Sequence, residues 1–426
     1  MLQQVDVAPR SLESYAPVAG NNVLAALRAA AQPLQGLRVA HVNATAYGGG
    51  VSELLHSVVP LYRALGLDCD WLVIPGTPRF FEVTKRIHNA LQGEAGRLSA
   101  PARKIYLEHS RALAGLLEPR YDLIWVHDPQ PAALRSLCGA RGARWIWRCH
   151  IDTSQPNESV LRFLEPFLED YDALVFTLDQ FTPPLLRDHR IEIIAPAIDP
   201  LNPKNLLLAP EFADQILQWA GVEPDRPLVS QISRFDPWKD PLGVIAAYKA
   251  IREQVPGTQL ALLGQMALDD PQGWSMYRTI LEQTAGDPDI NVLTNFTGVG
   301  NLEVNAFQAR SDVVVQKSLR EGFGLVVAET LWKRTPVVAG RAGGIPLQMP
   351  PGIGGYLVDS VEDCATRTVD LLRDRTEAAR LGNEGHTHIR RHFLITRLLQ
   401  DHLRLIGSLV GGPSAGRAPE QSAAAL

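Results

Sequence analysis

No stretch of the 426 residues stays apolar for long enough to span a bilayer, and the first twenty, MLQQVDVAPRSLESYAPVAG, show no basic start followed by an apolar core. Neither a membrane helix nor a secretion signal is expected. Excess positive charge is missing too: 41 Lys and Arg against 46 Asp and Glu leave a net charge of −5, which exerts no general pull on nucleic acid or anionic membranes. Any anion must therefore be held locally. Cysteine is scarce. The four, Cys69, Cys138, Cys149 and Cys364, fall in neither C-x-x-C nor zinc-ligand spacing, so buried reduced thiols and a cytoplasmic location are expected. What remains is a core-forming composition, 46% hydrophobic and 20% charged with 34 glycines, in a chain long enough for two domains.

From Leu37 onward, short β-rich apolar runs alternate with amphipathic stretches, the pattern of βα units stacked into a parallel sheet. "LRVAHVNAT" reads as a strand and "VSELLHSVVPLYRALG" as the helix after it. In that helix Val51, Leu54, Leu55, Val58, Val59, Tyr62 and Leu65 share one face, Pro60 bends the axis and Gly66 ends it. Strands at "DCDWLVIP", "YDLIWVHD", "ARWIWRCHI", "ALVFTL" and "IEIIAP", with helices at "RKIYLEHSRALAGLLE" and "SVLRFLEPFLEDY", complete a doubly wound, Rossmann-like α/β domain over residues 1–208. "PAIDPLNPKNLLLAP" breaks the periodicity as an interdomain linker. "PLVSQISRF", "QLALLGQ", "INVLTNF", "SDVVVQK" and "TPVVAG" then predict a second such domain over 209–385. "HIRRHFLITRLLQDHLRLIGSL" predicts a terminal helix within 386–410, and residues 411–426 have the small polar composition of a disordered tail.

Three loops at strand ends stand out. "AYGGGVS" joins the first strand to the first helix, and Gly48, Gly49 and Gly50 there suit either a tight turn or close backbone approach to an anion at a helix N-terminus. The Walker and G-x-G-x-x-G patterns are both absent. In "QISRFDPWKDP", Arg234 and Lys239 follow a strand, while Asp240 and Pro241 read as the cap and first residue of the next helix. Two cations in so short a loop are either solvated surface charges or a diphosphate clamp at the crevice where such sheets bind ligands. In "LREGFGLVVAETLWK", Glu321 precedes a helix that starts near Gly324, and Glu329 lies inside it. The amides of Gly324, Leu325 and Val326 lie between the two carboxylates and face an anion. The order of carboxylate, anion cradle and second carboxylate fits sugar, diphosphate and ribose.

E-G-F-G-L-x-x-A-E resembles the E-x7-E signature of the retaining glycosyltransferases of family 4, and R-x4-K in "SRFDPWK" and the later "GRAGGIP" agree with it. "HVNATAYGGGVSELLHSVVPLYRALGLDCDW", "KRIHNALQG", "WRCHIDTSQPN" and "GVGNLEVNAFQARSDVVVQKSLREGFGLVVAETLWK" are similar to trehalose glycosyl-transferring synthases, over roughly residues 10 to 410. The resemblance implies the GT-B fold, two Rossmann-like domains facing a cleft, with the terminal helix crossing back to the first. It implies transfer of glucose from UDP-, ADP- or GDP-glucose to free glucose with retention, forming α,α-trehalose. No resident cofactor or metal is implied, although stimulation by Mg²⁺ and assembly as a homodimer stay open. Phosphorolysis of trehalose, another acceptor, or a non-catalytic nucleotide-sugar sensor are the alternatives.

Residue by residue, the resemblance puts the diphosphate on Arg234, Lys239 and the amides of Gly324 to Val326, donor glucose hydroxyls on Glu321, and ribose on Glu329. Gly48, Gly49 and Gly50 approach phosphates and sugar from the other domain. His150 in "RCHID", which by itself reads as a packed histidine, matches the family histidine beside the reacting sugar. Lys85, Asn89 and Asp152 lie in segments typical of the trehalose-forming group and are the candidate acceptor contacts. Spacing singles out no pair of carboxylates as nucleophile and acid, so Glu321 is given positioning and charge stabilisation. His386, His388 and His392 have no carboxylate or cysteine near them in sequence and read as packing or surface residues. Trp145 and Trp147, within an apolar strand, read as core.

Overall fold

The structure, a computed structural model, describes residues 2–139, 141–266 and 271–411. Its strands are β1 (Gln3–Gln4), β2 (Arg38–Asn43), β3 (Asp68–Val73), β4 (Leu123–His127), β5 (Arg144–Arg148), β6 (Ala173–Phe176), β7 (Ile191–Ile193), β8 (Leu228–Ser233), β9 (Gln259–Gly264), β10 (Ile290–Thr294), β11 (Val313–Gln316), β12 (Val337–Gly340) and β13 (Gly355–Val358). They form two sheets, in the orders β1-β3-β2-β4-β5-β6-β7 and β10-β9-β8-β11-β12-β13. β1 is antiparallel to β3, and the other pairings among the described strands are parallel.

Alternation along each strand sends side chains to opposite faces. In the first sheet Ala40, Val42, Ile124, Val126, Trp145 and Trp147 build one core, and Val39, Trp71, Leu123, Trp125 and Ile146 build the other. Both faces are covered by helices, which is why these strands read as nearly continuous apolar runs. The helix after β2, Gly50–Ala64, buries Leu54, Leu55, Val58, Val59 and Tyr62 and contains Pro60. Gly66, at φ +90°, follows its end as the left-handed residue that stops it.

Two strands escape the periodicity argument. β1 spans two residues, too few to show a period, and β13 begins at Gly355, just after Gly352 and Gly354. The terminal segment also differs from a single helix over 386–410: helix Arg375–His392 ends, and a second helix, Ile395–Val410, begins. The break has a tertiary cause. Ile198 N–H donates to the Phe393 carbonyl at 2.8 Å, and Ile395 N–H donates to the Ile198 carbonyl at 2.9 Å. Backbone groups that would continue the helix are taken by the segment between the domains. Helix Ile395–Val410 then packs on the first domain, where Leu398, Leu399, Leu403 and Ile406 join the Val39 core and His402 Nδ1 meets the Tyr62 hydroxyl at 3.0 Å. Of the proposed tail 411–426, all but Gly411 lies outside the described residues.

The interdomain segment 196–210 is built into the structure, not a loose tether. The Asp199 carboxylate accepts from Tyr15 Oη at 3.0 Å and Ser57 Oγ at 2.6 Å and pairs with Arg10. Trp332 Nε1, in the second domain, donates to the Asn205 carbonyl at 3.1 Å. All four cysteines are unpaired thiols, and no helix among the described residues is long and apolar enough to cross a membrane.

Candidate active site between the domains

In an open parallel sheet every strand ends on the same edge, and the loops that leave that edge are brought together whatever their distance in sequence. In the second domain this joins the loops after β8 and β11. Asp236 caps a short turn over Pro237–Lys239, its carboxylate accepting from Trp238 N–H at 2.8 Å. Asp240, in the left-handed region at φ 49°, accepts from Gly243 N–H at 3.1 Å to start helix Pro241–Gln254 and pairs with Lys317. The Trp238 carbonyl accepts from Leu319 N–H at 2.8 Å, and the Arg320 guanidinium stacks over the Trp238 ring at 4.7 Å. The two loops are thereby fastened to each other.

The consequence is an ion pair at the cleft. Lys239 Nζ lies 2.5 Å from Glu321 Oε2, with 15% and 12% of the two side chains exposed. Ser318 Oγ donates to the same oxygen at 3.3 Å. Arg234 reaches further out, 57% exposed, with Nη2 3.6 Å from Asp236 Oδ2. Gly324, at φ +81° and ψ 61°, turns the chain from this loop into helix Leu325–Trp332. Its left-handed backbone favours glycine, since a Cβ there would also lie 3.2 Å from both the Glu321 side chain and Ile345. The amides of Leu325 and Val326 are in the first turn, where a helix has no internal acceptors for its N–H groups.

Glu329 does not share this position. It is 3% exposed, accepts from Gln308 Nε2 at 3.1 Å, and its Oε1 is 3.6 Å from Lys204 Nζ. Lys204 in turn sits 2.7 Å from Glu53, on the helix that leaves the glycine loop of the first domain. One ammonium from the interdomain segment thus touches a carboxylate of each domain. Burial pulls the Lys204 ammonium down, but the two carboxylates outweigh it and the net shift is upward. Glu53, sharing that cation with Glu329, is pushed up by burial. Glu53, Ser57, Asp199, Asn205, Leu325 and Glu329 are among the residues lining a small cavity here.

The first domain faces these loops at three points. Gly48 and Gly49 have φ of +74° and +90°, and a Cβ added at Gly50 would lie 3.1 Å from Leu325 Cδ1, so the glycine loop meets the helix start directly. A Cβ on Gly322 would lie 2.6 Å from the His150 carbonyl oxygen. A Cβ on Gly93 would lie 2.7 Å from Arg320 Nη1. His150 is placed by the loops after β4 and β5: its N–H donates to Asp128 Oδ1 at 2.8 Å, and its Nε2 is 3.0 Å from His127 Nδ1. Burial above all, then Arg148 and His41, drives its pKa well below the ordinary imidazole value.

Lys85 and Asn89 lie on helix Pro78–Leu91, and the loop carrying Asp152 is tied to that helix by Asn157 N–H donating to the Ala90 carbonyl at 2.8 Å. Asp152 itself accepts from Ser154 Oγ at 2.6 Å. Arg234 lowers the pKa of His88, between Lys85 and Asn89, after the larger effect of burial, so this wall lies within electrostatic reach of the R-x4-K loop. Among the candidates, then, Lys239 and Glu321 are in direct contact, and Gly50 and His150 touch the adjoining helix start and loop. Glu329 is buried behind them. His386 and His388 are engaged by the Trp332 and Leu347 carbonyls at 2.6 and 2.9 Å. Among the described residues no group of three or more His, Cys, Asp or Glu side chains could hold a metal ion. Sequence reasoning missed Glu53, Lys204, Arg320 and His127; a local signal existed only for His127, a polar residue in an apolar strand, and Lys204, a lone cation in the linker.

Residues 41–183 match the family model "Trehalose synthase, N-terminal domain", and residues 214–388 match "Glycosyl transferases group 1". A trehalose synthase of Rubrobacter xylanophilus is 48% identical over 416 residues, covering 96% of this chain and 100% of that one. Another, from Thermococcus litoralis, is 43% identical over 401 residues, covering 94% and 97%. Among solved structures, an α,α-trehalose 6-phosphate synthase of Burkholderia multivorans superposes with a TM-score of 0.69 at 17% identity, over 88% of this chain and 100% of that one. That last likeness is one of fold, two Rossmann-like domains in the GT-B arrangement.

Proposed function

The chain belongs to the trehalose synthase family of glycosyltransferases, an enzyme of trehalose-related glycosyl transfer, and on that premise we propose that it moves glucose from a nucleoside diphosphate α-glucose to free glucose, forming α,α-trehalose with retention. The observation that carries this reading is the Lys239–Glu321 contact at 2.5 Å beside the first turn of helix Leu325–Trp332, which has no side-chain cap. A cation, main-chain N–H groups and a carboxylate are gathered where a sugar diphosphate needs them. Arg234, Lys239 and the amides of Gly324, Leu325 and Val326 stabilise the charge that develops on the departing diphosphate, which is electrostatic catalysis and needs no resident cofactor. Glu321 orients donor hydroxyls, His150 and the glycine loop of Gly48, Gly49 and Gly50 close over the sugar, and Lys85, Asn89 and Asp152 receive the acceptor. Glu329 contacts ribose after exchanging its present partners, Gln308 and Lys204.

Retention follows if the acceptor oxygen attacks on the face that the diphosphate leaves. Its proton passes to the diphosphate oxygen as the glycosidic bond breaks. Glu321 serves positioning and charge stabilisation, with its Oε2 held by Lys239 and Ser318. The four unpaired thiols support a cytoplasmic setting. The test is a screen of UDP-, ADP- and GDP-glucose, with and without Mg²⁺, against glucose, read by product identity and anomeric configuration. α,α-Trehalose and free nucleoside diphosphate are expected. Glucose 1-phosphate from trehalose and inorganic phosphate, with no turnover of any nucleotide sugar, would overturn the reading.

A further inference from the structure

His41 on β2, His127 on β4 and His150 just beyond β5 occupy adjacent strands of the first sheet. His41 Nδ1 is 2.9 Å from His127 Nε2, and His127 Nδ1 is 3.0 Å from His150 Nε2. Ring planes within 26° and 21° of each other, with centroids 5.2 and 5.3 Å apart, set the rings edge to edge. A metal site would need nitrogens converging on one point; here each contacting nitrogen faces its neighbour's ring instead. The row ends in the core. His41 is fully buried beside Tyr62 and Trp125, and its Nε2 is buried without a partner.

Burial holds all three rings below their ordinary pKa, His41 to about 3, so each is neutral and carries one proton. Two N···N contacts use two of the three protons. The third sits at one end of the row, on His41 Nε2 or on His150 Nδ1. Moving it from one end to the other requires both shared protons to jump, so the three tautomers are set as a unit. From this geometry we propose that His127 and His41 are positioning residues: they pin the His150 ring by its Nε2 and fix a single tautomer, so that Nδ1 meets the sugar with one hydrogen-bonding character.

This deepens the reaction proposed above and rests on it for its kinetic consequence, while the tautomer itself is measurable without substrate. Long-range ¹H–¹⁵N spectra of ¹⁵N-histidine-labelled full-length protein, with His150 assigned from a His150→Gln sample, should show one protonated and one bare ring nitrogen for His150. His41→Phe, two rings away from the cleft, should shift the His150 nitrogens or average them, and His127→Phe should do so more strongly. Displacing the ring should lower kcat/KM of His127→Phe by about 10²-fold, with part of the loss recovered in His127→Asn, whose amide again reaches His150 Nε2. Averaged His150 nitrogens in the wild type, or an unchanged His150 signature in folded His41→Phe and His127→Phe, would overturn the inference even if trehalose is made. Loss of all transfer activity in a wild type with a fixed His150 tautomer would count against the reaction and leave the positioning intact.

Discussion

Replacing Lys239 by Ala separates what the ion pair does for the fold from what it does for the reaction. At 2.5 Å, with an effective dielectric of about 20, the attraction is about 7 kcal/mol before solvation is counted. Stripping water from two groups that are 12–15% exposed offsets most of it. The net stability loss in Lys239→Ala is therefore about 1–2 kcal/mol, largely the cost of leaving the Glu321 carboxylate without its cation. The loss in the transition state is larger. A fixed donor that neutralises a leaving group is typically worth about 10²–10³ in kcat, or about 2.7–4 kcal/mol. Thermal unfolding and steady-state kinetics on the same samples give the two numbers. Adding Glu321→Gln to Lys239→Ala should restore most of the stability, because the stranded charge is gone, and none of the activity. Wild-type kcat in folded Lys239→Ala, or recovery of activity in the double variant, would refute the argument that this cation serves the departing diphosphate.

Gly322→Ala puts a methyl group 2.6 Å from the His150 carbonyl oxygen, so the domains must separate locally; we expect at least about a tenfold loss of kcat/KM and a larger radius of gyration by small-angle scattering. Burial pushes the Asp128 carboxyl up to about 6, against the opposing pull of His150 N–H and Arg148. Between about pH 4 and 6 the folded state therefore holds more proton than the unfolded one, and this residue's contribution to stability falls as pH rises. Asp128→Asn, which keeps the acceptor for His150 N–H and tolerates φ of +64°, should remove that dependence and gain on the order of 1–3 kcal/mol at pH 7.5, measured by denaturant unfolding across pH. Lys204→Met leaves Glu53 and Glu329 facing each other without the ammonium between them, and should lower the unfolding midpoint most at neutral pH, with partial recovery as the carboxylates protonate on acidification.

The strands and the helix after β2 were legible because their apolar pattern has the period of the element it builds, and the glutamate and R-x4-K loops because rare residue types recur at fixed intervals. The histidine row was not. His41, His127 and His150 are 86 and 23 residues apart in sequence, and His41 and His127 taken alone are ordinary polar residues in apolar strands. Only the order β2-β4-β5 makes them neighbours, and strand order is decided by which helices pack on which face, not by the strands themselves. Glu329 shows a related limit. Its interval from Glu321 is visible in the sequence, but the interval does not reveal that Gln308 and Lys204 already hold its carboxylate. The partner's position depends on the interdomain segment, whose irregular sequence carries no period at all.

That segment accounts for the break in the terminal helix and for the coupling of the two domains at once. Ile198 takes backbone bonds from both sides of Leu394, so the second domain's last helix stops where it meets the connection between domains, and the chain re-enters the first domain as Ile395–Val410. Asp199 gathers Tyr15, Ser57 and Arg10, all first-domain groups, and five residues later Lys204 reaches Glu53 on one side and Glu329 on the other. A hinge made this way cannot swing freely: rotation of the second domain pulls Glu329 against Lys204 and, through it, against the helix that starts at the glycine loop. The carboxylate proposed for ribose and the loop proposed for phosphate are thus joined by one ammonium. Loosening that ammonium from Glu329 is the local change that donor binding would have to make.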